Sequence, residues 1–589
     1  MKNVFFGLGL QYEDGSAPSI AMSRDGRVME VHESIGDGDL AYRLGKRRQM
    51  GLLWAKQNVV YGRGLTPSIA FNGHLLMEVH KEIFGDDDLA WRTAVWNDGD
   101  EGPSEIRFSE PVKYASGKMP RIAMNDRIAV AVHQSPTGPS LWFNACDIGE
   151  DASVRWRGNV GLGPGIQPNI AINQGNVAVI VYRSPSDSNL YYRIGAVREI
   201  EVAWGQAIAF GTGSDAAVAL SDDGEVIVVF QSSQSRTLLQ RFGKIGDNAI
   251  HWAGDAVHFD NGQHACVACA GRMAIQAHES ENTMTLWAST SRVTNRARWM
   301  HHNMDVLGDK TLPRLTTGAS HDAGMYQHGA LATLGKTQNL NIYQQLRNGI
   351  RYFDLRPKWS GNALYVHHGG ISGPTVAEIA DDVRNFMREG NRELVVLKFS
   401  HYEKFTGAAY EALVAMLQEK LRDWLYRQPL QGRRLADIPM REFLAQSGVV
   451  LVVCDGDYPI AFPAAGIWVY RDFDAAHPEL GDLRVYDKYS NSMIYETMKA
   501  GQLRQFQAYN GFCAAPNAEV PCDQFLLSWT LTPPTGVWLV SQEANRNLGE
   551  VMATQGVPNP QDLVINYLYV DYEEYSRATD VAMFMNGIE

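Results

Sequence analysis

The feature of this 589-residue chain that most restricts its fold is an internal repeat. The pattern Gly-x-x-Pro/Ala-x-Ile/Val-Ala recurs six times, with Pro18, Pro67, Pro120, Pro168, Ala216 and Ala265 in register at steps of 49, 53, 48, 48 and 49 residues. In each unit a second apolar run ends in His32, His80, His133, Tyr182, Phe230 or His278. A third element reads Leu40-Ala41-Tyr42-Arg43, Leu89-Ala90-Trp91-Arg92, Leu190-Tyr191-Tyr192-Arg193 and Leu238-Leu239-Gln240-Arg241, and a fourth carries Trp54, Phe108, Trp156, Trp204 or Trp252. Four short strands per unit of about fifty residues, broken by Gly, Asp and Ser turns, make the pattern of a propeller blade, so six units predict an all-β six-bladed β-propeller. A histidine replaceable by Tyr182 or Phe230 reads as a register residue with a local hydrogen bond rather than a metal or catalytic ligand. The third-strand rings and arginines suit repeated sugar pockets, and blade packing accounts for the same rings. A propeller by itself supplies a binding surface and announces no function.

The remaining length calls for a second large domain. The composition is that of a globular protein, and a net charge of -13 with a sequence pI near 5.7 argues against nucleic acid and against a polybasic membrane patch. No stretch approaches the ~20 apolar residues of a spanning helix. Val4 to Leu10 is apolar but short and lacks a small-residue cleavage site, so it reads as a first strand rather than a signal peptide; export would need a non-classical route, and location stays unknown. Six cysteines are too few for a disulfide-built fold. Cys266 and Cys269 form a lone C-x-x-C with no partner pair, which reads as buried packing rather than zinc, while Cys513 and Cys522 flank a loop and could bridge.

The repeat period is lost between 294 and 312, where Arg296, Arg298, His301, His302 and Asp305 crowd together, so the domains are placed at 1–297 and 298–589 with His301-His302 in a solvated linker. Beyond Leu315 strands and helices alternate: strands at 315–320, 350–355, 363–367, 393–399, 449–453, 483–485, 525–529 and 563–570, and helices near 339–347, 375–388 and 407–425. The helix from Val376 places Ile379, Val383, Phe386 and Met387 on one face. Alternation over about 290 residues predicts a parallel α/β barrel of the TIM type.

Polar clusters follow these runs directly: Ser320-His321-Asp322, then Asp354 and Arg356, then His367-His368-Gly369, Lys398 and Asp571. In such barrels the working residues gather where strands end. Two histidines, carboxylates and an arginine suit acid–base cleavage of a phosphodiester. A base takes the attacking hydroxyl's proton, an acid protonates the leaving oxygen, and positive charge sits on the phosphate between them. Histidines, with an ordinary pKa of about 6.5, can fill both proton roles. Simpler readings stand beside these: Asp354 in a buried pair with Arg351 or Arg356, His367 as a satisfied core residue, and Asp571 as a helix cap.

The Ser-His-Asp cluster, Gln345-Leu346-x-x-Gly349-Ile350-Arg351-Tyr352-Phe353-Asp354-Leu355-Arg356, the His-His-Gly turn, Asp487-Lys488-Tyr489 and Tyr569-Val570-Asp571 together resemble, in order, the bacterial phosphatidylinositol-specific phospholipases C. The resemblance covers the C-terminal half. It implies His321 as base, His368 as acid, Asp571 holding the tautomer of His321, Asp322 beside the leaving oxygen, Arg356 on the phosphate, and Lys398, Asp487 and Tyr489 on the inositol. Calcium-dependent relatives build this place from acidic and Asn oxygens, whereas a fixed guanidinium at Arg356 repels a divalent ion, so no metal and no cofactor are expected. The chain departs from the pattern at Asp455, where the family places an arginine on the inositol, and at Ala323, where a Ser is usual.

The expected function is cleavage of a phosphatidylinositol-type diester at a membrane interface to diacylglycerol and a cyclic inositol phosphate. Thr532 to Trp538 is the candidate for shallow insertion, with a buried Trp538 as the alternative. Two other classes stay open: a hydrolytic phosphodiesterase for another head group, and a propeller that binds a glycan or protein while the barrel is silent.

Overall fold

A computed structural model of the chain describes residues 2–36, 38–48, 51–97, 106–149, 152–327, 334–428, 430–455, 463–472, 481–514 (backbone only from 510), 524–534, 536–554 and 564–588. It divides into two compact units, Met1–Thr294 and Asn295–Glu589.

The first unit is built of antiparallel β-sheets. Each repeat contributes a ladder such as Ser16–Met22, Arg27–Glu33 and Asp39–Arg48, with short outer strands pairing to the third. The first strands of the six repeats contact one another in a cycle: Ser16–Met22 meets Leu65–Phe71, then Lys118–Met124, Ile166–Ile172, Ile208–Leu220 and Gln263–Ala270, which returns to Ser16–Met22. Side chains stitch neighbours in this cycle, since Ser19 Oγ accepts from the Ile69 amide and Ser68 Oγ from the Ile122 amide, each at 3.2 Å. Leu10–Asp14, from the start of the unit, pairs with Thr285–Arg292 near its end.

The repeat pattern has a steric basis. A Cβ on Gly64 or Gly117 would lie 2.5 Å from the imidazole of His80 or His133, and Gly15 and Gly262 meet His32 and His278 in the same way. The repeated ring therefore sits on the repeated glycine, which only a residue without a side chain permits. His32, His80 and His278 each place Nδ1 3.0 Å from a carboxylate or amide oxygen two residues earlier, on Glu30, Glu78 and Gln276. The strand-four rings stack between sheets, as in Tyr12 on Trp54 and Tyr114 on Trp156, so they serve packing there. Cys266 and Cys269 are unbridged; the Cys513–Cys522 question lies outside the described residues.

In the second unit eight parallel strands close a barrel in the order Thr317–Ser320, Tyr352–Leu355, Leu394–Phe399, Val449–Asp455, Ile467–Asp472, Leu483–Asp487, Gln524–Ser528 and Tyr567–Val570. Leu394–Phe399 is buried at all six positions, as a strand covered on both faces must be. The helix Val376–Arg388 begins at a Thr375/Glu378 capping box and buries Ile379, Val383, Phe386 and Met387.

Two expectations about the strands change. Leu364–His368 is not a barrel strand; it is the middle of an antiparallel sheet with Pro357–Trp359 and Ile371–Thr375, inserted between the second and third barrel strands. The missing barrel strand is Ile467–Asp472, whose mixed Tyr-Arg-Asp ending hid it from a search for apolar runs. The run from Arg296 is also not a solvated linker. Trp299 and Met300 are fully buried in the barrel unit's core, and Arg296 makes a buried 2.7 Å ion pair with Asp580. Among the described residues no helix is long and apolar enough to cross a membrane.

Candidate active site

A parallel barrel brings all its strand C-termini to one end, and register sets which residues lie level there. Ser320 pairs with Phe353 and with Val570, so His321, Asp354 and Asp571 emerge side by side. Asp322 follows with a left-handed φ of 39°, a conformation Asp tolerates better than most side chains and one that turns the chain sharply after the strand. His321 Nδ1 lies 2.7 Å from Asp571 Oδ1, so Nδ1–H donates to that carboxylate and Nε2 faces the opening. On that side Asp322 Oδ2 is 3.3 Å from His321 Nε2 and 3.3 Å from His368 Nδ1. The two imidazole centroids are 6.4 Å apart.

Arg356, one residue beyond the second strand, completes this group. Its Nε is 2.6 Å from Asp322 Oδ1 and 3.4 Å from Asp354 Oδ2, and its Nη2 is 3.2 Å from His321 Nε2. Asp354 also accepts hydrogen bonds from the Tyr569 hydroxyl and, at 3.3 Å, from Ser400 Oγ. Lys398 joins the two sides of the mouth: its Nζ is 3.6 Å from Asp354 and 2.8 Å from Asp487 Oδ2, which also accepts from the Tyr470 hydroxyl at 2.8 Å.

Burial works against every charge in this group, and the opposite charges outweigh it. For His321 the Asp322 and Asp571 carboxylates overcome burial and the Arg356 repulsion and push the imidazole up to about 9. For Asp354 burial is overcome by Lys398, Arg356 and His321, which hold the carboxyl well below its usual range. Burial also opposes charge on Arg356 and Lys398, but the Asp322 and Asp354 carboxylates raise the first and Asp487 and Asp354 raise the second, so both are fixed cations.

His321, Asp322, Arg356, His368 and Asp571 thus share one cluster, and Lys398 and Asp487 form a second one touching it through Asp354. Tyr489 is 62 % exposed beyond the strand that ends in Asp487. Asp354 pairs with Arg356; Arg351 instead makes a fully buried 2.8 Å pair with Glu393. His367 is buried and bonds the His401 carbonyl at 3.0 Å. Trp538 packs on Tyr572 and Tyr575, while its neighbour Leu539 is 77 % exposed. Sequence reading passed over Ser400 and Tyr470: Tyr470 lies on the unrecognised strand, and a lone serine carries no signal. Tyr569 stood in the Tyr-Val-Asp motif, and only its hydroxyl contact with Asp354 shows its part.

A metal ion has one possible seat among the described residues. His321, Asp322 and Asp354 each offer a ligand atom within 4.8 Å of the others. Both carboxylates already face Arg356, and three donors fall well short of the six to eight oxygens calcium takes.

No family model matches the chain. It is 24% identical over 219 residues to a PI-PLC X-box domain-containing protein of Dictyostelium discoideum, over 34% of this chain and 28% of that protein. It is 27% identical over 132 residues to the 1-phosphatidylinositol phosphodiesterase of Listeria monocytogenes, over 21% of this chain and 40% of that one. With human PI-PLC X domain-containing protein 2 the identity is 33% over 159 residues, 22% of this chain and 52% of the other. The chain therefore spans less than a third of the first relative and about half of the last. Among solved structures, a phosphatidylinositol-specific phospholipase C of Staphylococcus aureus aligns over 50% of this chain and 98% of its own at 16% identity and a TM-score of 0.38. The sequence similarities support a PI-PLC-like domain.

Proposed function

We propose that the barrel is a metal-independent phosphodiesterase of the phosphatidylinositol phospholipase C type. In the free site His321 Nε2, kept aimed by the Asp571 bond to Nδ1, takes the proton of the inositol hydroxyl next to the phosphate. That oxygen forms a bond to phosphorus while the bond to the glycerol oxygen breaks, and His368 delivers a proton to the leaving oxygen. The products are diacylglycerol and a five-membered cyclic inositol phosphate. Arg356 carries the growing negative charge on the phosphate, and Asp322, shared by both histidines and Arg356, keeps the three groups in one geometry. The observation that carries this reading is the 2.7 Å His321–Asp571 bond with Asp322 bridging the two imidazoles. Lys398, Asp487 and Tyr489 are assigned to the head group. Exposed Met493 and Ile494 on one rim loop, and Leu539 in the first turn of the helix Trp538–Thr554 that follows the next, the two loops being joined by a 2.8 Å bond from the Thr532 amide to the Ser492 carbonyl, are assigned to the lipid surface.

Phosphorus NMR of the protein with phosphatidylinositol in mixed micelles and excess EDTA tests it. A cyclic phosphate signal supports class, substrate and metal independence; activity restored only by calcium refutes the assignment of Arg356. Asp455, at the end of the strand beside Lys398, favours one second reading, a diesterase for a different head group that yields a linear phosphomonoester.

The first unit is proposed as a six-bladed propeller. The closed cycle of first strands, and the pairing of Leu10–Asp14 with Thr285–Arg292 as a final closure, support this. A targeting role toward a glycan or protein is assigned to it; binding of a glycan array by residues 1–297 tests that role.

A further inference from the structure

Ser400 to Glu403 continue the third barrel strand and run beside Leu355 to Trp359. The Ser400 amide donates to the Leu355 carbonyl at 3.1 Å, the Glu403 amide to Pro357 at 3.0 Å, and the Trp359 amide to Glu403 at 3.1 Å. This register sets Ser400 beside Arg356 and Glu403 beside Lys358, so His401 follows Arg356's neighbour directly at the mouth. Its φ is 53°, a left-handed conformation that Gly adopts at lower cost than a residue with a Cβ. Its carbonyl is clamped by His367 Nε2 at 3.0 Å, and His367 is itself fixed by Glu403 at 3.2 Å, with Lys358 on the other Glu403 oxygen at 2.8 Å. Just before it, Ser400 Oγ is tied to Asp354. His401 is solvent-accessible as a residue, and its ring makes no hydrogen bond or ion pair with any described residue. A left-handed backbone held by these contacts around a side chain with no partner among the described residues points to a partner brought by the substrate.

We propose that His401 is a further catalytic residue, whose ring N–H donates a hydrogen bond to a non-bridging oxygen of the phosphodiester beside the Arg356 guanidinium. This rests on the phosphodiesterase reading above. A neutral donor complements the fixed cations there, and desolvation by its surroundings followed by the Arg356 charge holds the imidazole below its ordinary range. A directed N–H gains strength as charge builds on the phosphate oxygens in the transition state.

The test uses the full chain and a soluble inositol phosphodiester, with its two phosphorothioate diastereomers. His401→Gly removes the ring and relieves the backbone, so the melting temperature should hold while kcat falls by roughly 10- to 100-fold with KM little changed. His401→Asn accepts the same φ, keeps an N–H donor and should recover part of that loss. Sulfur at the contacted oxygen should slow the wild type more than His401→Gly. Wild-type kcat in His401→Gly with an unchanged sulfur effect overturns the proposal. Equal losses in both variants with a lowered melting temperature overturn it in favour of a structural role. An inactive wild type overturns the phosphodiesterase reading itself, an outcome distinct from an active wild type with an indifferent variant.

Discussion

Asp571→Asn is the substitution that most directly separates the proton roles. His321 lies at about 9, against an ordinary value near 6.5. The gap corresponds to about 3 kcal/mol favouring the imidazolium, at roughly 1.4 kcal/mol per pH unit. As the proposed base, His321 works only when unprotonated, so the acid limb of kcat/KM, which reports the free enzyme, should have its midpoint near 9. Activity should therefore climb through neutral pH rather than level off above 6.5. Asp571 is one of two carboxylates behind the shift, the other being Asp322, and replacing it with a neutral amide should lower the midpoint by about one unit or more. The same change frees the imidazole to take the other tautomer, which should lower kcat by roughly 10²- to 10⁴-fold. The assay is kcat/KM for a soluble inositol phosphodiester from about pH 5 to pH 10 at constant ionic strength. A wild-type limb at or below 6.5, or a limb unmoved in Asp571→Asn, would refute the electrostatic account of His321. The raised value has a stability counterpart: its contribution to folding is complete below pH 6.5 and is lost as pH rises through about 9.

Two further substitutions address other parts of the molecule. Gly64→Ala would place a methyl 2.5 Å from His80 and 2.9 Å from Leu40, and overpacking of that kind should cost the first unit about 1–3 kcal/mol in denaturant unfolding. Gly138→Ala, which meets nothing within 4 Å, is the control and should be near neutral; equal effects would contradict the packing explanation of the repeat. Ile494→Glu with Leu539→Glu should lower cleavage of phosphatidylinositol in vesicles at least tenfold, and turnover of a soluble diester far less. Parallel losses on both substrates would remove these residues from the lipid surface.

The parts of the fold that were legible in sequence are those where a chemical constraint repeats or where burial is two-sided. The ring-on-glycine contact forces the same spacing six times, and strands such as Leu394–Phe399 read as unbroken apolar runs because both faces are covered. Ile467–Asp472 was missed because its last residues turn polar toward the mouth, and Leu364–His368 was misplaced because an apolar run does not say which sheet it joins. The same limit applies in the site. His321, Asp322, Arg356 and Asp571 stood in ordered motifs beside strand ends. Ser400 and His401 hold positions that only the register of Leu394–Phe399 and its continuation reveals, and Tyr470 lies on the strand Ile467–Asp472 that the apolar pattern did not show.

On the proposed reading, the charges at the mouth make catalysis and anion binding respond to pH in opposite directions. Arg356 and Lys398 are raised by their carboxylate partners and stay charged throughout the range in which His321 titrates. Below about 9 a phosphodiester meets His321 as a third positive group, and above it the same ring is a neutral base. An inositol phosphodiester that lacks the attacking hydroxyl should therefore bind best below about 9 and weaken by up to tenfold per pH unit above it, where only the protonated form binds. Turnover, which needs the unprotonated ring, should rise over the interval in which that affinity falls. Calorimetric titration of the unreactive diester at pH 7 and pH 10 measures the binding arm directly. Equal or tighter binding at pH 10 would mean that His321 does not face the phosphate, and the base would have to be sought elsewhere in the cluster.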